Sequence, residues 1–176
     1  DLVLIDAGTT IVNADVEDSD DGYALETSGE VDATINGDIT GSVYAEDDSA
    51  LTVNGNITGI DAENDVDMDD PNDFSDPYPR TAVFATDYSV VLINGDVTGA
   101  NGYGAYAFAQ DAIGAARNSN VTVNGDVVGG NVIGEESVGQ INNESAAGIG
   151  VGQQSYTATV TINGNVTGGS TNTKLG

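Results

Sequence analysis

Hydrophobic and polar positions along this chain alternate over very short stretches. Val121-Thr122-Val123 puts two apolar side chains on one face and a threonine on the other, the two-residue period of a half-buried strand. Such stretches are β-branched, three or four residues long, and end in Asn-Gly. A second β-branched pair and another glycine follow. This unit occurs five times, at 34–41, 52–59, 92–99, 122–129 and 161–168. Its asparagines, Asn36, Asn54, Asn94, Asn124 and Asn163, stand 18, 40, 30 and 39 positions apart. The pattern predicts strand, Asn-Gly bend, short strand, glycine bend. Glycine supplies the positive φ that a sharp corner calls for, and asparagine tolerates it.

Asn-Gly is also a strong hairpin signal, so five antiparallel hairpins in a sandwich or barrel are the competing reading. The flanking strands are too short for stable hairpin arms. They suit stacking of like units, where each strand pairs in parallel with its copy above and below, and the corner asparagines form a ladder of amide hydrogen bonds. A second column precedes the first. Tyr23, Tyr44, Phe84 and Tyr106 each sit beside an alanine, and Tyr44 and Phe84 stand ten residues before their asparagines. The expected fold is therefore all-β, a right-handed parallel β-helix of about 18–20 residues and three short strands per coil. Longer gaps hold insertions or a degenerate second turn. Residues 1–176 form a single β-helix domain in this reading, with an acidic loop insertion at 60–80. Six to eight coils, each about 4.8 Å high, complete the rod.

The units [Thr/Leu]-[Ile/Val]-Asn-Gly-[Asp/Asn]-[Ile/Val]-[Thr/Val]-Gly, with small-residue connectors such as Ala146-Ala147-Gly148-Ile149-Gly150, resemble the repeat regions of β-helical bacterial surface proteins. Autotransporter passenger domains and large cell-wall adhesins are similar in style. The resemblance covers most of the chain from Gly22 to Gly169. It implies an exported protein at the cell surface or outside the cell, with an adhesive or spacer role, and it carries over no site residue.

Charge narrows the partners. There are 29 acidic against 3 basic side chains, a formal charge of −26, and neither histidine nor cysteine. Phosphate repels such a surface, which argues against nucleic acid and anionic membranes. The missing residue types exclude thiol nucleophiles, Ser-His triads, disulfides and the usual zinc sites. No apolar run of about 18 residues exists to span a bilayer. The chain starts Asp1-Leu2-Val3, without initiator Met or signal peptide, and reads as a mature start or an excised domain.

Candidate chemistry concentrates at 61–76, which holds eight carboxylates in sixteen residues. Calcium takes six to eight oxygens, and Asp65, Asp67, Asp69, Asp73 and Asp76 match positions 1, 3, 5, 9 and 12 of an EF-hand-like loop. Asp70 replaces the turn glycine and Asp76 the usual glutamate, so a solvated acidic loop is the alternative. Asp15, Glu17, Asp18, Asp20 and Asp21 form a smaller acidic cluster. Corner residues Asp38, Asn56, Asp96, Asp126 and Asn165 are assigned to bend chemistry. If Val43 and Ala45 face inward, Tyr44 faces out with Tyr23, Phe84 and Tyr106, as a surface for a sugar or protein; the alternative is that these rings cover the rod's flank. Threonine columns suggest ice binding, but the insertions break the flat array it needs.

β-Helices also host polysaccharide lyases and hydrolases. Three scattered cations serve a lyase poorly, and the sequence pairs Asp20-Asp21 and Asp69-Asp70 lie within acidic runs. The expectation is a non-enzymatic surface adhesin or structural spacer. Its partners would be a host or cell-surface glycan or protein, with self-association through the solenoid ends. A calcium-dependent carbohydrate-binding module is the first alternative and a polysaccharide-degrading enzyme the second.

Overall fold

The computed structural model describes residues 3–6, 8–18, 23–63, 80–103, 109–134, 148–151 and 157–173. Among these residues every regular element is a strand, and every strand pair is parallel. Three sheets have six strands each. The first, the aromatic sheet, runs Val3–Ile5, Tyr23–Thr27, Ser42–Ala45, Val83–Ala85, Ile113–Ala115 and Ile149–Val151. The Asn sheet runs Gly8–Val12, Val31–Ile35, Ala50–Val53, Val90–Ile93, Asn120–Val123 and Thr159–Ile162. The third consists of the two-residue strands after each Asn-Gly, from Val16–Glu17 to Val166–Thr167. Successive coils contribute one strand to each sheet, as the stacking of like units predicts.

Register follows the repeat. Val91 pairs with Leu51 and Val121, and Ile93 with Val53 and Val123. These inward positions are all at most 1% exposed, whereas Thr52, Leu92 and Thr122 between them stay half-exposed. Parallel stacking thus builds columns of Val, Ile, Leu and Ala down a narrow core, each methyl resting on its own kind one rung away.

Three details differ from the sequence expectation. The asparagines of successive rungs are 23, 18, 40, 30 and 39 residues apart, and each rung pairs directly with the next. The longer gaps therefore hold no intervening turn. They instead carry a fourth sheet, Ala62–Glu63, Gly102–Tyr103, Val132–Gly134 and Thr171–Thr173, which the 18-residue coil omits by passing from Gly41 directly into Ser42–Ala45. Part of the expected insertion, Ala62–Glu63, is thus a strand of the solenoid.

The Asn-Gly glycines are also required for another reason. Gly37, Gly55, Gly95, Gly125 and Gly164 do not have positive φ. A Cβ on Gly95 would lie 2.2 Å from the carbonyl oxygen of Gly55, and Gly125 and Gly164 meet the preceding glycine in the same way. Close approach of successive backbones selects glycine here. Positive φ is concentrated instead in the turns between the aromatic and Asn sheets, at Asp47-Asp48, Asp87-Tyr88 and Arg117-Asn118. Two such residues in succession characterise a type I′ turn. Each turn closes by an N–H to C=O bond, from Ser49 to Glu46, Ser89 to Thr86 and Ser119 to Ala116.

Candidate functional site

Side-chain polar chemistry in this fold is organised as ladders along the rod. In the first ladder Asn36 Nδ2 donates to Asn13 Oδ1, and the same bond recurs through Asn54, Asn94, Asn124 and Asn163 at 2.7–2.8 Å. Asn13, in the sequence Val12-Asn13-Ala14, is a degenerate sixth copy that lacks the diagnostic glycine. The corner column assigned to bend chemistry forms the second ladder. Asp15 Oδ1 accepts the Asp38 N–H at 2.9 Å, Asp38 that of Asn56 at 2.7 Å, and Asn56 that of Asp96 at 2.9 Å. Asp96 and Asp126 continue it to Asp126 and Asn165, both at 2.8 Å. Asp and Asn interchange here because both supply the one atom required, an acceptor oxygen.

Two further columns carry no obvious motif. Asp61, Asn101 and Asn131 accept the backbone N–H of Asn101, Asn131 and Ser170 at 2.8, 2.8 and 2.9 Å. Their signal is an Asp, Asn or Ser two residues after the unit's last glycine in the long coils. Ser89 and Ser119, fully buried, donate to the carbonyls of Ala45 and Ala85 at 3.1 and 2.9 Å. Ser49 bonds the Thr27 hydroxyl at 3.1 Å. Each serine ends an Ala-x-x-x-Ser segment; Ser89 and Ser119 give a second donor to carbonyls that also accept the Thr86 and Ala116 N–H groups, while Ser49 meets a hydroxyl instead.

Of the aromatic column, Tyr23, Tyr44 and Phe84 are described and Tyr106 lies outside the described residues. Phe84 pairs with Tyr44, and their rings stack at 5.8 Å with planes 4° apart. Both are half-buried, while Val43, Ala45, Val83 and Ala85 on either side are fully buried, so the rings lie on the outer face. Tyr23 reaches the stack by a different route. Glu26 occupies the Tyr44 register, and a shift between Tyr23 and Leu25 brings the Tyr23 ring to 5.1 Å from Tyr44. The strand after Phe84 is Ile113–Ala115, with Gly114 at the Phe84 position. A Cβ there would meet the Phe84 ring at 2.7 Å.

Arg80 lies over the Tyr23 ring at 4.6 Å, a cation–π contact. The three rings with Arg80, Thr81 and Gln110 line a groove of about 270 Å³. Tyr44 donates to Glu46 Oε2 at 3.0 Å, and burial together with that carboxylate pushes its hydroxyl up to about 12. Tyr103 is likewise raised, chiefly by its bond to Asp61 Oδ2 at 3.0 Å.

The acidic candidates Asp65, Asp67, Asp69, Asp73 and Asp76 lie outside the described residues, as do Asp20 and Asp21 of the smaller cluster. Of that cluster's other members, Asp15 belongs to the second ladder and Asp18 is buried. Among the described residues no cluster of three or more carboxylates is placed to hold a metal ion. Arg117 pairs with Asp87 at 3.1 Å on the surface. No protein-family model, curated protein or solved structure matches this chain.

Proposed function

We propose that the chain is a non-enzymatic, extracellular or surface-displayed β-solenoid acting as an adhesin or structural spacer. One observation carries this reading: the constant residues of the repeat direct their chemistry at the neighbouring rung. Asparagine amides bond asparagine amides, Asx oxygens bond the next backbone N–H, and glycines admit the adjacent carbonyl. Residues repeated for such a purpose build length and stiffness. The rod is right-handed in this proposal, as are about 98% of parallel crossover connections. Its basic coil has 18–20 residues, and the longer coils add the fourth strand and loops. Incubation with a polysaccharide panel should release no product, while small-angle scattering should give a rod-like particle. Turnover abolished by one Asp→Asn substitution would overturn the proposal.

The aromatic groove favours a second reading, a calcium-dependent carbohydrate-binding module. Stacked rings beside an arginine offer both an apolar edge and a donor to a sugar. The 65–76 carboxylates would supply the calcium ligands. Glycan binding in the presence of calcium, lost in Tyr44→Ala and Phe84→Ala with folding retained, supports this reading; retention unaffected by either substitution excludes it.

A further inference from the structure

Asn-Gly occurs six times in this chain, at Asn36, Asn54, Asn94, Asn101, Asn124 and Asn163. It is the most labile setting for an asparagine, because glycine has no Cβ to keep its nitrogen away from the preceding side chain. The glycine nitrogen attacks Cγ and loses its proton, a new N–Cγ bond closes a succinimide ring, and the Cγ–Nδ2 bond breaks to release ammonia. Water then opens the ring to aspartate or isoaspartate. Neither step consumes an oxidant or a reductant.

Burial does not prevent this reaction here, since Asn36, Asn54, Asn94 and Asn124 are all exposed at the corner of the rod. The ladder engages the atoms that must move. Each of these four amides donates from Nδ2 to the preceding rung and accepts at Oδ1 from the next, at 2.7–2.8 Å. The two bonds act differently. A donor at Oδ1 polarises the carbonyl and favours attack, whereas Nδ2 must turn pyramidal and depart, which breaks its own bond. Restraint therefore lies in the Nδ2 link. The backbone around Gly95 is pinned as well, by Asn94 N–H to the Val53 carbonyl at 2.8 Å and Asp96 N–H to Asn56 Oδ1 at 2.9 Å. Asn101 is held twice over. Its Nδ2 donates to the Asp61 carboxylate at 3.0 Å, and the attacking nitrogen, Gly102 N–H, is itself bonded to the Asn131 carbonyl at 3.0 Å.

We propose that the asparagine ladder is a chemical shield: the Asn-Gly pairs of the corner column are latent deamidation sites, held closed by the bond from each Nδ2 to the preceding rung. The shield also confines damage. Aspartate formed at Asn94 keeps an acceptor oxygen for Asn124 Nδ2, so a converted rung leaves the lock of the following rung in place. Parting of the rungs exposes every site in the column at once.

The test follows each Asn-Gly of the 176-residue chain by peptide mapping with mass spectrometry, under mildly alkaline conditions. Asn94 should convert at least about fivefold more slowly in the folded chain than in urea, the worth of one hydrogen bond. Asn54→Ala removes the acceptor of Asn94 Nδ2 and should raise the Asn94 rate about fivefold. Asn54→Asp keeps that acceptor and should leave Asn94 at the wild-type rate. Both variants remove the same donor from Asn36 Oδ1, so they differ at Asn94 only through the one link. Asn101, held elsewhere, should change in neither. If Asn54→Ala loses the wild-type circular dichroism spectrum, Asn94→Ala and Asn94→Asp make the same comparison at Asn124. Equal rates at Asn94 in the folded and urea-unfolded chain overturn the proposal. So does an Asn94 rate that ignores Asn54→Ala, one that rises equally in Asn54→Asp, or a rise at Asn101 to match it.

Discussion

Replacing Asn94 by alanine removes two links of the asparagine ladder at once, because its amide donates to Asn54 at 2.8 Å and accepts from Asn124 at 2.7 Å. A typical protein hydrogen bond contributes about 0.5–1.5 kcal/mol net, and the exposed partners left behind can bind water. The expected cost is about 2 kcal/mol, or a fall in melting temperature of roughly 4–8 °C for a chain of this size. Asn163→Ala removes only the 2.7 Å bond to Asn124 and should cost about 1 kcal/mol. Aspartate substitutions test the polarity. A carboxylate accepts but cannot donate, so Asn13→Asp keeps its single bond from Asn36 and should stay within about 0.5 kcal/mol of wild type. Asn163→Asp loses its only described side-chain bond and sets a carboxylate against Asn124 Oδ1, so it should cost more than Asn163→Ala. Urea denaturation at neutral pH reads all four, as midpoint shifts at constant slope. Equal costs for Asn13→Asp and Asn163→Asp would refute the directional ladder. The reverse order would mean that the amides run the other way.

Other predictions follow from the same geometry. Gly95→Ala drives a Cβ to 2.2 Å from the Gly55 carbonyl, so two rungs must part at a cost of about 3 kcal/mol; Gly8→Ala, at φ +74° in open space, should cost about 1 kcal/mol, and thermal melts separate them. Ser119→Ala deletes the buried bond to the Ala85 carbonyl and should cost about 1–2 kcal/mol by chemical denaturation, although Ala116 N–H still donates to that carbonyl. The Tyr44 hydroxyl is raised from 10.0 to about 12 by burial first and Glu46 second, so the fold favours its neutral form. Its stabilising contribution is complete below pH 10 and is lost as pH rises towards 12. Tyr44→Phe should flatten that part of the stability–pH curve, and an unchanged curve would refute the assignment.

Much of the rod was legible because parallel stacking makes the sequence repeat itself. Identical side chains in one column must satisfy one environment, so Asn36, Asn54, Asn94, Asn124 and Asn163 announced both the register and their ladder. Tyr44 and Phe84 were aligned by their common distance from an asparagine, and the structure pairs them. The fourth sheet was not legible: Ala62–Glu63 and Gly102–Tyr103 are too short to show alternation, and the column beside them is marked by a single Asp, Asn or Ser per coil, two residues after the unit's last glycine. The role of the Asn-Gly glycines is not legible in the sequence, which does not separate a positive φ from a close contact across rungs. Tyr23 joined the stack through a bulge, which breaks the counting on which register arguments depend. Tyr106 and the acids from Asp65 to Asp76 lie outside the described residues.

Direct rung-to-rung register is the central claim, and the absence of cysteine in the chain gives a clean background for crosslinking it. Thr52 and Leu92 are paired across adjacent rungs and both point outward, so cysteines at these two positions should oxidise to an intramolecular disulfide. Thr52→Cys with Val91→Cys should not, since Val91 points into the core. An Asn-Gly hairpin would bring Thr52 beside Ile57 instead. Efficient bridging of the Thr52–Leu92 pair, with little in either alternative pair, is the result the solenoid predicts. Bridging between positions 52 and 57, with none between 52 and 92, would contradict it.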